Sequence, residues 1–403
     1  MSTTAYVLKR FAAKRVFLFA SSICMLGGLL CLSAPNFWVS LAGRLLQAIA
    51  TGIGTPLMYQ LIFATVPAHQ LGIYTGFASV IVSLAPALGP TYGGVLTSLW
   101  SWREIFLGIM PLIIVVAILG AWAIQGNPQG VGSLRFDYLG VLLLTGMFTS
   151  LLFTFNAAGQ HGWLTTNFNL WVLVTVVIAG TLVGHARVSS RKIFDYQILM
   201  HAKLQLRLVN YFGLQFINIG LSFVLPLFTQ TVLGASASVA GLMLLPGALI
   251  GAVVAPVAGG VYDRRGPTRV LMFSALMVMV SMIAFWLSGR WLSVGLIAVL
   301  FVLLRLGFNS GFGTVLSDAS TEVQGPQKAD QNSLFSMMQQ YAGALGTAVM
   351  SAVIANHQLT QSVKMATFSG ARRDFLLLFV LAGIIALTVL RVWRLPTESI
   401  PTT

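Results

Sequence analysis

The sequence predicts an all-α membrane protein in which twelve helices cross a bilayer in two related sets. Three observations carry this. Of the 403 residues, 57% are hydrophobic and only 8% charged, with a mean hydropathy of +0.87, whereas a typical soluble domain carries about 25% charged residues. Apolar runs of spanning length, about 20 residues, recur along the whole chain. Two short basic stretches, one at the start and one in the second half, match each other.

The first six runs lie near 16–34, 39–66, 72–97, 105–124, 138–157 and 168–186. The second six lie near 206–230, 237–261, 269–288, 292–316, 333–355 and 375–394. Between them, "RVSSRKIFDYQILMHAKLQLR" is the longest basic stretch and the natural boundary. Placing residues 9–15 in the cytoplasm puts sixteen Lys and Arg on that side and five on the other: Arg103, Arg290, Lys364, Arg372 and Arg373. Short-loop positive charge marks the cytoplasmic face, so the C-terminus is expected there, in a multi-pass plasma-membrane protein. The formal charge of +14 is thus explained by orientation, and nucleic-acid binding is not expected because no soluble basic domain exists to carry it. Cys24 and Cys31 are seven apart in one run, two turns along one helix face, too far for a disulfide.

"MSTTAYVLKRFAAKRVFLFA" has the basic start of a signal peptide. The apolar run that follows is of spanning length and has no clear small-residue cleavage site, unlike a signal core. "VLKRFAAKRV" (7–16) instead aligns with "VYDRRGPTRV" (261–270) at Val7/Val261, Arg10/Arg264, Arg15/Arg269 and Val16/Val270. Arg44 and Arg305 each fall in the second span after the respective basic stretch. This pattern points to duplication, common in transporters. Two spans precede the basic loop in the second half and almost nothing precedes it in the first. The expectation is therefore a chain lacking the first helix and most of the second.

"ALGPTYGGVL" (87–96) interrupts the third span with Pro86 and Pro90, and continues a small-residue series through Ala85, Gly89 and Gly93. Pro in a membrane helix marks a bend, and small residues allow close packing; ordinary tight packing remains the alternative. Together with "GRLLQAIATG" (43–52), "SWREIF" and "GGVYDRRGPTRV", the pattern resembles the major facilitator superfamily, most closely its fourteen-helix drug:proton antiporter family. The resemblance covers the whole chain and implies two six-helix bundles separated by two additional helices. Residues 1–124 would be an incomplete N-terminal bundle, 125–187 the two additional helices, 188–205 a cytoplasmic basic linker, 206–394 the C-terminal bundle and 395–403 a cytoplasmic tail.

The same resemblance maps the antiporter motif onto Gly89, Pro90, Gly93 and Gly94, with Pro86 beside it, and an Arg-x-x-Gln motif onto Arg44 and Gln47, where Ala48 replaces the following Gly. Its cytoplasmic-gate motif falls on Gly259, Asp263, Arg264 and Gly266, continuing to Arg269; in the first half Lys9 replaces the Asp and Ala12 the Gly. Family logic sets the Asp against a helix N-terminus, where a carboxylate is favoured, so only Asp263 is expected to act in this way.

Arg44, Gln47, Thr51 and Thr55 follow 3-4-4 spacing and make one polar helix face. An Arg inside a span is usually functional, so the stripe is expected to line a central cavity; the alternative has Arg44 snorkelling to headgroups near a span end. Arg305 and Asn309 form a similar pair; Asn210, Asn218 and Ser222, with Gln215 at the edge, form another; Asn332, Ser336 and Gln340 a fourth. They read as a water-accessible pathway or, alternatively, as interhelical hydrogen bonds. Gly247, Gly251, Ala255 and Gly259 form a packing seam, Trp100, Trp102, Trp163 and Trp291 read as interface anchors, and no pair of His has metal-ligand spacing.

The family resemblance implies a secondary transporter, not an enzyme, exporting lipophilic small molecules as a monomer with no bound cofactor, driven by a proton gradient. Two bundles would rock about a central site, with bends at Pro86, Pro90, Pro246 and Pro256. A proton carrier is not evident: each of the nine acids falls in a loop or at a span end. Two alternatives stay open, an inactive or weakly active remnant and a non-transporting sensor or assembly partner. Arg44→Ala is expected to abolish export while leaving membrane insertion intact; unchanged drug resistance in cells would contradict the role of the stripe.

Overall fold

The computed structural model describes residues 7, 11–124, 137–189, 198, 201–323 and 327–394, without the side chains at positions 68, 83, 86, 87, 90, 91, 94, 95 and 98. Most of the basic stretch at 1–10, most of the linker and the tail at 395–403 therefore lie outside the described residues, as do Lys9 and Arg10. All regular structure within them is helical. The first set comprises α1 (Ala13–Leu32), α2 (Phe37–Thr65), α3 (Leu71–Leu99) and α4 (Glu104–Ala123), followed by α5 (Tyr138–His161) and α6 (Thr166–Val188). The second comprises α7 (Ala202–Thr231), α8 (Ala237–Leu242), α9 (Leu245–Arg265), α10 (Pro267–Leu287), α11 (Val294–Thr321), α12 (Gln327–Gln358) and α13 (Val363–Arg394). Each of the twelve expected spans corresponds to one of these helices, with α8 and α9 sharing one.

The ends follow from local chemistry. Asn36, Ser236 and Ser293 cap α2, α8 and α11, each side chain accepting the backbone N–H three residues on, as N-caps do. Gly266, at φ 75°, turns the chain between α9 and α10, and Pro267 opens α10, the Gly-then-Pro order that suits a helix end followed by a start. The bend expected at Pro246 takes another form: Pro246 sits in the first turn of α9 after the break that ends α8, where a missing N–H costs nothing. Pro56, Pro111 and Pro226 also lie inside helices.

Among the described residues ten spans, with α8–α9 as one, are long and apolar enough to cross a membrane, and α3 contributes the shorter apolar stretch Leu71–Val82. α12 is not among them, because Asp330, Gln331, Asn332, Ser333, Ser336 and Gln339 turn polar side chains into the protein. Helices α7 and α10–α13 enclose an aromatic core in which Tyr211 stacks on Phe312 at 4.2 Å and Phe285 on Phe375 at 5.3 Å. α5 joins this set through α12, with Phe148 stacked on Tyr341 at 3.8 Å. α6 packs on α5, where the Thr175 hydroxyl donates to Ser150 Oγ at 3.0 Å. At the loop end of this pair, Asp137 caps α5 by accepting Gly140 N–H at 2.9 Å and pairs with His185 of α6 at the same distance.

The two sets meet where α3 lies along α9 and α11. Their backbones approach closely: a Cβ on Gly72 would stand 2.5 Å from Gly259 O, and one on Gly76 2.6 Å from Ala255 O. The small-residue seam of α9 thus serves two neighbours. Gly247 and Gly251 face Arg305 and Asn309 of α11, while Ala255 and Gly259 face α3. Gly259→Val would drive a side chain into the Gly72 carbonyl. A loss of about 1–3 kcal/mol is expected, read as a lower melting temperature in detergent; an unchanged melting temperature would contradict this packing.

Candidate functional site

A cavity of about 720 Å³ lies between the two sets. α2 contributes Thr51, Gly54, Thr55 and Met58; α3 contributes Ile81, Val82 and Ala85. The opposite wall is Gln215 and Ile219 of α7 with Gln339, Gln340, Gly343, Ala344 and Thr347 of α12. These residues sit near the middle of their helices. The wall mixes apolar surface with amides and hydroxyls and, among the described residues, bears no charged side chain, the composition of a small-molecule site. The Tyr211 hydroxyl donates to Gln339 Oε1 at 2.9 Å and holds that amide in place from behind.

At one end of the helices the two sets are latched. The first turn of α3 has unpaired N–H groups, as every helix start does, and Gln70 at its cap position makes no side-chain cap. Asp263, at the end of α9, supplies the cap from the other set. Gly72 N–H donates to its Oδ1 at 2.8 Å and Ile73 N–H to its Oδ2 at 3.0 Å. An anion here also meets the positive end of the helix dipole. One turn on, Thr75 shares a 2.5 Å hydrogen bond with Ser317 of α11. Asn332 of α12 donates from Nδ2 to the Pro56 carbonyl of α2 at 2.8 Å. Beside the latch, Arg207 Nε donates to Asp318 Oδ2 at 2.6 Å and Lys203 pairs with Glu322 at 2.5 Å. Arg264 and Arg269 are exposed and make no ion pair among the described residues.

The remaining expected residues separate. Thr51, Gln215 and Gln340 line the cavity. Arg44 does not. It is exposed, donates to Gln47 Oε1 at 3.1 Å and lies 5.9 Å from the Phe106 ring centre, while Gln47 packs against Gly27 of α1. Arg305 is 1% exposed; its Nη1 donates to Asn218 Oδ1 at 2.7 Å, its guanidinium stands over Phe301 and Phe308, and its carbonyl accepts from Asn309 Nδ2. Asn210 reaches across to Thr388 of α13. Of the antiporter motif, the side chains of Pro86 and Pro90 and the surroundings of Gly94 lie outside the description. Gly89 has open space where a Cβ would be, and Gly93 meets only Ile105 at 3.9 Å. The series begins at the cavity, with Ala85 in its wall.

One expectation about the acids is corrected. Asp374 was expected at a span edge because the apolar run starts at 375. α13 begins at Val363, however, and Asp374 lies on its buried face, 0% exposed, with neither carboxylate oxygen hydrogen-bonded among the described residues.

A cavity of mixed apolar and polar lining between two helical sets, with a contact joining the sets at the Asp263 end, is the arrangement of a membrane transporter. The chain belongs to the Major Facilitator Superfamily, whose family model matches residues 3–347. It is 27% identical to an uncharacterized MFS-type transporter, YcnB of Bacillus subtilis, over 99% of this chain and 85% of that protein. It is 28% identical to a lincomycin resistance protein, LmrB of Listeria innocua (91% and 77%), and 26% to a multidrug resistance protein B homolog of Mycobacterium tuberculosis (91% and 68%). Among solved structures, the human organic anion transporter MFSD10 matches with a TM-score of 0.62 at 16% identity over 94% of this chain and 79% of that one. The proton:xylose symporter XylE matches with a TM-score of 0.58 at 14% identity (98% and 82%). These last two show the shared fold.

Asp263→Asn keeps the shape of the latch and removes its charge. A weakening of about 1–2 kcal/mol is expected. It should appear as roughly tenfold faster alkylation of a Ser320→Cys reporter, buried beside the latch, in a Cys24→Ala, Cys31→Ala background. An unchanged rate would contradict the latch.

Proposed function

We propose that this transporter exports small lipophilic molecules by alternating access, exchanging them for protons, as a monomer in the plasma membrane. The observation that carries the reading is the mid-helix cavity shared by α2, α3, α7 and α12 together with the latch at the Asp263 end. Release of the Asp263 latch would open the cavity toward that end, and re-formation would return it to the other side. The concentration of Lys and Arg near the latch supports a cytoplasmic location for that end, and with it a cytoplasmic C-terminus. Resistance proteins among the relatives support drugs as substrates. In this reading Gly259, Asp263 and Gly266 form the gate, Thr51, Gln215 and Gln340 touch the solute, and Arg305 with Asn218 braces the α7–α11 wall.

The test is accumulation in an efflux-deficient bacterial host across a panel of lipophilic antibiotics and dyes. Expression of the chain should lower steady-state accumulation of at least one compound several-fold, and a protonophore should restore it. Accumulation unchanged across the panel would contradict export, and protonophore-insensitive export would contradict proton exchange.

A further inference from the structure

We propose that Tyr59 is the plug of a release path running from the cavity to the Asp263 end, shut in this arrangement and reached by water once the latch opens. This rests on reading the cavity as the solute path. Four helices of the cavity wall each carry a buried residue one turn nearer the Asp263 end. Tyr59 follows Thr55 on α2, Ala78 precedes Val82 on α3, Tyr211 precedes Gln215 on α7 and Phe335 precedes Gln339 on α12. Each stands four residues from its lining residue and so shares its helix face. All four belong to one buried apolar cluster, each at 3% exposure or less. Three of the four are aromatic, and their packed rings separate the cavity from the latch.

Tyr59 is the member that must move. The cluster is drawn mainly from the second set, where Tyr211 stacks on Phe312 and lies 5.2 Å from Phe335. Tyr59 enters it from α2, in the first set. When the sets part at the latch, Tyr59 is withdrawn and the second-set rings stay together. The junction around it is polar and under-bonded, unlike a permanent core. The Tyr59 hydroxyl is buried beside Ser79 without full hydrogen-bond geometry. Asn332 gives its Nδ2 to the Pro56 carbonyl, but its Oδ1 is buried without a partner among the described residues, as is Oε1 of Gln60, one turn past Pro56. Buried acceptors left unpaired are costly, and water entering between α2 and α12 would satisfy them. The closed contact is therefore dry and modestly held, as a gate between two populated arrangements requires.

The experiment labels cysteines with an impermeant methanethiosulfonate in membrane vesicles of each polarity, using the full chain with Cys24→Ala and Cys31→Ala. Gly54→Cys reports the cavity, because Gly54 lines it with open space for a Cβ. Arg265→Cys, at an exposed position, identifies the face that bears Asp263. From that face, adding Tyr59→Ala should speed Gly54→Cys labelling at least about tenfold, with no change from the opposite face. Tyr59→Phe keeps the ring and should label no faster than the parent. Ala78→Cys leaves Tyr59 in place; it should be protected, and Asp263→Asn should speed its labelling several-fold from the Asp263 face. Should Tyr59→Ala not reach the membrane, Ala78→Cys carries the test alone. The inference is overturned if Tyr59→Ala leaves the rate unchanged, if it speeds labelling equally from both faces, or if Ala78→Cys reacts as fast as Gly54→Cys. These rates need no transported solute, so a negative efflux assay contradicts the export reading and not the plug.

Discussion

The Asp263 carboxylate on the Gly72 and Ile73 amides in the first turn of α3 is the contact on which the arrangement of the two sets depends. It is an N-cap supplied in trans, because Gln70 does not cap its own helix. Its geometry explains the glycines around it. A Cβ on Gly72 would meet both Gly259 O and the Asp263 carboxylate itself, so the bond requires Gly at 72 and close backbone approach at 259. Charge–dipole capping of this type contributes about 0.3–2 kcal/mol. That is strong enough to favour one arrangement and weak enough for a ligand with modest differential affinity to overcome. A deeply buried ion pair would hold the ends more stubbornly, and the ion pairs nearby, Arg207–Asp318 and Lys203–Glu322, both lie within the second set.

Polar groups are distributed to match. α11 and α12 bury Arg305, Asn309, Thr314, Ser317, Asp318, Gln331, Asn332 and Gln339, which would be costly against lipid. Some of them brace one helix against another: Asn218 holds Arg305, and Tyr211 holds Gln339. Others cross between sets, as Asn332 does to Pro56 and Ser317 to Thr75. The cavity lies among these contacts, and one of its amides, Gln339, is held by Tyr211 from outside the wall. Asp374 stands apart, on the buried face of α13 and outside the cavity wall.

The helices were legible because a spanning segment must satisfy its backbone internally and turn apolar groups to lipid, which leaves long apolar runs in the sequence. Asp263 was legible because its glycines and arginines form a compact local motif. Its partners were not: Gly72 and Ile73 contribute backbone N–H groups, and a backbone donor leaves no mark on residue identity. The Pro56 carbonyl that receives Asn332 was hidden for the same reason. Helical spacing placed Arg44, Gln47, Thr51 and Thr55 on one face, and tertiary packing then divided that face. Gln47 went to α1, Thr51 and Thr55 to the cavity. Spacing cannot foresee where a neighbouring helix ends its cover. Asp374 was misplaced because apolar content marks where lipid begins, whereas α13 starts further back, at Val363.

The central claim is that the two sets are held at the Asp263 end by a reversible contact. Spin labels on the exposed residues Gln70 and Arg265, either side of that contact, would report it as a distance distribution by pulsed electron resonance in nanodiscs. The account predicts a dominant short-distance population together with a longer one, and a change in their ratio when a transported solute or a change of pH is applied. A single distance that responds to neither would contradict it.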